Sequence, residues 1–393
     1  MDRHWIFFAA DAKPSSLRKA LANRLAETEP VVIVERAVSA VREVARWPVR
    51  ARRDGIVYRP LHWPQRIPGA GRLVRRWNLR GLRRELHRIC PVGARFVCYD
   101  SPTQNEWVGR LGEHFAIYLA IDDRTVTVTG DSIPGEREAE QELLAKVDLV
   151  ACVSERLADV LRKRAPDVDP SRIVVVENGF DERIFDPHKQ YPEPTGLRDI
   201  PRPRGLVAGH VSERIDWTGI EACRRLAPDV QWVFLGPADV GMIERSCRLG
   251  CHFRPPVSLE EVPAWIAHCE FGAIPYRQNA FTDASCPLKA LEFLAMGLPT
   301  LATPVPSLVQ FDKGLVFVDE ADGASYVGAT RMLLGATPTA NNRSPSPAVK
   351  DYSIRRRLEL FLRIVERFAA SHGRQCETPA GRSVAPRSLS RTT

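Results

Sequence analysis

The sequence predicts an α/β protein of two parallel-sheet domains. Three observations carry this. The chain has 393 residues, 44% hydrophobic and 26% charged, which is ordinary for a globular protein and long enough for two domains. Short apolar runs alternate with helical segments, the order that parallel strands joined by crossover helices require. The alternation occurs on both sides of residues 186–204, a stretch with five prolines and no periodicity that reads as an interdomain linker.

In the first half, Trp5-Ile-Phe-Phe-Ala9 reads as a buried strand. A loop over 11–16 follows, with Ser15 or Ser16 capping a helix over 17–27, and then a strand at 31–34. The loop after this first strand lacks a G-x-G-x-x-G pattern, so no dinucleotide site is expected there. Strands are expected at 95–100, at 115–123 with Asp122 and Asp123 at its end, at 148–154, and from 173 into the turn at Asn178-Gly179. Helices are expected at 138–146 and 155–164, the second capped by Ser154.

Residues 46–89 differ in composition: thirteen Arg, with Asp54 and Glu85 the only acids, and Trp47, Trp63 and Trp77 interleaved. Residues 71–89 form a basic amphipathic helix pattern, weakened by Gly81, with Leu79, Leu82, Leu86 and Ile89 on one face. Arg75, Arg76, Trp77 and Arg80 suit an anionic membrane surface. A helix packed by its Leu face on the sheet is the alternative. Nucleic acid is not expected, since no recognition motif accompanies the arginines.

The second half opens with a strand at 205–210 and a helix over 218–226, then a strand at 231–237, a helix within 257–268 and a short strand at 271–275. Ser285-Cys-Pro-Leu-Lys-Ala-Leu-Glu-Phe-Leu-Ala-Met-Gly-Leu-Pro299 reads as one buried helix. Ser285 is its expected N-cap and Gly297 with Pro299 its stop. Lys289 and Glu292 share one face, in the order that opposes the helix dipole. An anion explains Lys289 better than the helix does. With the free N–H groups of the first turn, Leu288 among them, it makes a phosphate site. Glu292 could accept two hydroxyls, as a ribose offers; a solvent-facing Lys–Glu pair is the alternative. Tyr276 could stack on a base or belong to the core. Strands at 298–302 and 315–318 complete the second sheet, a loop covers 336–350, and an amphipathic helix runs over 353–370.

The stretches 272–279 and 285–299 resemble the nucleotide-sugar site of GT-B glycosyltransferases, most closely the family-4-type enzymes of bacterial surface-polysaccharide synthesis. The resemblance implies two Rossmann-like domains facing a cleft: residues 1–185 on the acceptor side, a linker at 186–204, a nucleotide-sugar domain at 205–350, a helix at 351–371 crossing back to the first domain, and a disordered tail at 372–393. In that family the second glutamate of an E-x7-E motif binds the donor ribose, which here falls on Glu292. The first falls on Ala284, so the sugar-contacting carboxylate is absent or displaced to Asp283. The run from Gly209 to Trp217 resembles the loop in which a basic side chain meets the diphosphate, here Arg214; an Arg214–Asp216 surface pair is the alternative. Tyr118, Asp122 and Asp123 resemble the Y-D-x-x-D-D segment, and Asn178, Gly179, Asp181 and Phe185 the N-G-x-D-x-x-x-F element. Asp122 or Asp123 would be the base for the acceptor hydroxyl, or a cap for the next segment.

The implied reaction moves a sugar from a UDP- or GDP-sugar to a hydroxyl of a lipid-linked saccharide. No metal or cofactor is expected, the nucleotide-sugar being a substrate. A net charge of +8 favours anionic partners. Nine cysteines without paired spacing suit a reducing cytoplasm, with peripheral attachment at the inner face of the cell membrane as the further expectation. The alternatives are a nucleotide-sugar 2-epimerase of the same fold, and a non-catalytic membrane- or nucleic-acid-binding protein on a decayed scaffold.

Overall fold

A computed structural model describes residues 3–9, 17–35, 50–52, 55–58, 70–90, 93–311, 314–336 and 343–371. The loop at 11–16, Trp47, Trp63, the side chains of Arg75, Arg76 and Trp77, and the tail from 372 lie outside the described residues.

Among the described residues the first domain holds eight strands: β1 Arg3–Ala9, β2 Val31–Glu35, β3 Arg50–Arg52, β4 Gly55–Tyr58, β5 Ala94–Tyr99, β6 Phe115–Ala120, β7 Leu149–Cys152 and β8 Ile173–Val175. Their order is β3-β4-β2-β1-β5-β6-β7-β8. Ile6 pairs with Val32 on one side and Val97 on the other, and the pairing is parallel except between β3 and β4 at the edge. The central strands are apolar on both faces because both faces are covered, as parallel sheets require. β3 and β4 fall inside the arginine-rich stretch, where Ile56-Val57-Tyr58 is too short a run to stand out.

The second domain holds β9 Arg204–Ala208, β10 Gln231–Leu235, β11 His252–Arg254, β12 Phe271–Ile274, β13 Thr300–Ala302 and β14 Leu315–Phe317, in the all-parallel order β11-β10-β9-β12-β13-β14. The strand period of two divides its core. Leu206, Val233 and Leu235 join one apolar cluster, and Val207, Trp232 and Phe234 the other. Phe185, Leu197 and Ile200 are also buried in this domain's core, so the proline-rich stretch is packed against the second domain along much of its length.

Helix Ile354–Ser371 returns to the first domain, as the resemblance implied. Phe361 and Val365 enter its core, Phe361 lies 5.8 Å from Trp5 between ring centroids, and Arg3 pairs with Glu366 at 3.0 Å. Helix Ala70–Ile89 runs through Gly81 without a break. Its leucine stripe is not offered to a bilayer. Leu82 and Leu86 are fully buried and Leu79 and Ile89 pack on the same core, each buried leucine contributing about 2 kcal/mol. What the helix turns outward is Arg80, Arg83, Arg84, His87 and Arg88.

Candidate active site between the domains

The carboxyl ends of the two sheets meet at a cavity of about 340 Å3, where open parallel sheets place their ligands. The first domain contributes Ile121 and Asp122 after β6 and Asn178 after β8. The second contributes Ala208 to His210 and Arg214 after β9, Leu235 to Pro237 after β10, Tyr276 after β12, and the turn from Ser285 to Lys289.

Two glycines form the floor. Gly209 has φ +123° and Gly236 φ +143°, backbone that side chains rarely allow. A Cβ on Gly236 would overlap the Gly209 carbonyl oxygen, and one on Gly209 would sit 3.8 Å from Arg214 Nη2 and 3.9 Å from Lys289 Cγ. Both strands end on a glycine in the sequence, Leu-Val-Ala-Gly209 and Val-Phe-Leu-Gly236, a signal that sequence reasoning passed over.

Arg214 is aimed at this floor. Its guanidinium lies 4.7 Å from the centre of the Tyr276 ring, and Nη2 donates to the His210 carbonyl at 3.3 Å. Its Nε is buried without a partner. A buried N–H left unpaired is costly, so an acceptor belongs beside it. The Arg214–Asp216 surface pair does not form. Asp216 is buried and accepts from Gly219 N at 3.0 Å and Ala321 N at 2.7 Å. Tyr276, 7% exposed, is the platform under Arg214 as well as a cavity wall.

Lys289 enters the wall on the first turn of helix Leu288–Ala295. Pro287, not Ser285, holds the N-cap position. Ser285 ends a separate short helix, Ala280–Ala284, and its hydroxyl donates to Thr282 O at 2.7 Å. Pro287 lacks an N–H and opens the expected helix later than Ser285 would, and Ala280–Ala284 is a further helix that the sequence did not mark. Lys289 Nζ donates to Glu292, which is 1% exposed and sits behind the lysine, outside the cavity lining. Burial pushes the Glu292 carboxyl up, and Lys289 offsets this only in part.

The expected aspartates separate. Asp122 lines the cavity. Asp123 points the other way, 3% exposed, and accepts from Arg164 at 3.0 and 2.7 Å and from Thr125 N at 3.0 Å. Arg164 also pairs with buried Glu140, which accepts from Tyr118 Oη at 2.9 Å. Burial pushes the Asp123 carboxyl up, but Arg164 and Thr125 outweigh it and hold it below the usual carboxylate range. Asp123 therefore anchors the loop that presents Asp122.

Asp283 is half-buried and outside the lining. Ala284 is fully buried among first-domain side chains, and its carbonyl accepts from Ser154 Oγ at 2.6 Å. Asn178 donates to the Cys286 carbonyl and Asn279 to Val128 O at 3.2 Å. Segment 279–287 thus fastens one domain to the other. Position 284 is a fully buried domain contact. Asn178 was legible as a turn residue but not as cavity wall.

Pro256, Val257, Leu259 and Val262 give the cavity an apolar wall. His210, at the cavity, lies 2.7 Å from Asp239 Oδ1. No described helix is long and apolar enough to cross a membrane.

Residues 203–335 match the family model for Glycosyl transferases group 1. TuaH of Bacillus subtilis, named as a teichuronic acid biosynthesis glycosyltransferase, is 27% identical over 208 residues, 51% of either chain. The chain therefore spans about half the length of this curated relative. Three solved structures share the whole architecture. A glycosyltransferase from Rickettsia africae has a TM-score of 0.66 at 14% identity, over 93% of this chain and 98% of that one. Anabaena HepE, solved with UDP and glucose, has a TM-score of 0.66 at 13% identity, over 92% and 98%. A UDP-forming trehalose-phosphate synthase from Burkholderia vietnamiensis has a TM-score of 0.68 at 13% identity, over 93% and 97%. The chain shares the two-domain fold of these solved glycosyltransferases, and its residues 203–335 match the group 1 family model.

Proposed function

We propose that the protein transfers a sugar from a nucleoside-diphosphate sugar to an acceptor hydroxyl at this cavity. The observation that carries the reading is Arg214 and Lys289 converging on a glycine floor, with an unpartnered buried Nε on Arg214. Two cations and the N-terminal turn at Leu288 suit the diphosphate. As the glycosidic bond breaks, negative charge grows on the leaving diphosphate. Fixed positive charge then stabilises the transition state more than the ground state. This chemistry asks nothing of a metal. Glu292, behind Lys289, would meet the ribose once the ammonium swings to phosphate, and Tyr276 with the apolar wall would border the base. Asp122, on the acceptor side, would take the hydroxyl proton. Asp283 remains a candidate for sugar contact only if its short helix moves.

HepE was solved with UDP and with UDP-glucose, which favours UDP as the nucleotide. The name of TuaH favours a place in polysaccharide biosynthesis. The outward arginines around Arg80, with Arg75, Arg76 and Trp77 earlier on the same helix, favour a lipid-linked acceptor and a peripheral, cytoplasmic-face location. The test is incubation of the full chain with radiolabelled UDP- and GDP-sugars and membrane lipid extract. Label entering the lipid phase with release of nucleoside diphosphate supports the reading. Isomerised nucleotide-sugar without transfer would turn it to the epimerase, and neither product would overturn both.

A further inference from the structure

A second cavity, of about 420 Å3, lies elsewhere on the first domain. Its walls are helix Ala70–Ile89, the start of β5 and the turn before β6, so it opens at the amino edge of the sheet. Asp122 follows the carboxyl end of β6, which places the two cavities roughly 20 Å apart along the strands. Arg80, Arg83, Arg84 and His87 lie at i, i+3, i+4 and i+7 of one helix face, and all four line the second cavity with Arg95. Among the described residues no carboxylate lines it. The acid of this helix, Glu85, pairs with Arg88 outside the cavity.

The arrangement opposes stability in the free protein. Like charges at these spacings repel along a helix. Arg95 adds a fixed cation. Its Nη1 donates to Leu111 O at 2.9 Å and its Nη2 to Cys90 O at 2.8 Å. Gly112 makes room for it, since a Cβ there would come within 2.9 Å of Nη1. Among the described residues none of Arg80, Arg83, Arg84 and Arg95 pairs with an acid. Guanidinium groups facing one hollow match the oxygens of a phosphate group, each able to give two parallel N–H bonds.

We propose that this cavity binds a phosphate-bearing anion, at a site separate from the cavity between the domains. Nothing in it depends on the donor reading. The phosphate can come from a lipid headgroup or from a soluble phosphate compound, and the test separates the two.

The full-length Arg214→Ala/Lys289→Ala protein, which lacks the cations of the other cavity, is titrated with inorganic pyrophosphate. In parallel it is sedimented with phosphatidylcholine vesicles with and without phosphatidylglycerol. Each is repeated with Arg83→Ala/Arg84→Ala added, and with Arg88→Ala added as a control that removes helix charge outside the cavity. All three side chains are exposed, so the fold is not at stake. Pyrophosphate binding weakened about tenfold or more by the Arg83/Arg84 change, and untouched by the Arg88 change, supports a soluble ligand. Loss of phosphatidylglycerol-dependent sedimentation with the same selectivity, competed by pyrophosphate, supports a headgroup. No binding of either probe overturns the proposal. So does equal weakening by Arg88→Ala, which would reduce the effect to diffuse charge.

Discussion

In the first domain the charge below the sheet's carboxyl edge is closed on itself, and in the second one guanidinium is left open while Lys289 rests on Glu292. Arg164 is enclosed by Asp123 and Glu140, with Tyr118 and Thr125 completing their bonds. Arg214 and Lys289, at the matching edge of the second domain, line a cavity, and one Arg214 N–H has no acceptor. A closed network rigidifies a loop, while an open one is completed only by a ligand. The difference assigns scaffold to one set of charges and binding to the other, although both sit at the carboxyl ends of similar sheets.

Breaking the closed network should cost the most. Arg164→Met leaves two buried carboxylates unpaired and should lower stability by about 3–5 kcal/mol in urea unfolding. A loss below about 1 kcal/mol, the size of an exposed pair, would mean the network is not closed. Next comes Asp122. If it is the base, Asp122→Asn should slow transfer about a hundredfold to ten-thousandfold with little change in stability. Asp123→Asn should show the reverse weighting, with stability falling first. Equal kinetic losses for both would contradict the division.

Arg214→Ala should weaken nucleotide binding by about tenfold to a hundredfold, read by calorimetry, with the urea midpoint nearly unchanged. The smallest effect concerns pH. The folded Glu292 carboxyl is raised by burial, so its contribution is present below the ordinary carboxylate value near 4.3 and is lost as pH rises through the raised value. Glu292→Gln should remove that loss, so the stability of the variant relative to the parent grows from acid to neutral pH. Asp123 is lowered, so its contribution is present above the ordinary value and is lost as pH falls through the lowered one. Parallel pH curves for Glu292→Gln and the parent would show that Glu292 does not titrate in this window.

Much of this was legible in the sequence, because strand–helix alternation and strand ends are local signals. The two sheets, the returning helix, and Asp122, Arg214 and Lys289 at one cavity follow from patterns a few residues long. What escaped was set by distant contacts. Helix Gly323–Ala336 was hidden by Gly323, Gly328 and Gly335, which weaken a helix signal that packing then overrides. The short helix Ala280–Ala284, capped by Asn279, was not marked because five residues carry no periodicity. The difference between Asp122 and Asp123 could not be read from two adjacent carboxylates. Arg164, 41 residues away in the chain, decides it. Ala284 looked like a lost functional residue, and its meaning as a domain contact depends on Ser154, 130 residues earlier.

The most direct test is calorimetric titration of the full chain and of Lys289→Ala with UDP, GDP and ADP. The account predicts that one nucleotide, UDP first among them, binds the parent with micromolar affinity and is lost or strongly weakened in Lys289→Ala. Binding of none of the three, or equal binding by parent and variant, would contradict a donor site built on Arg214 and Lys289 of the second domain.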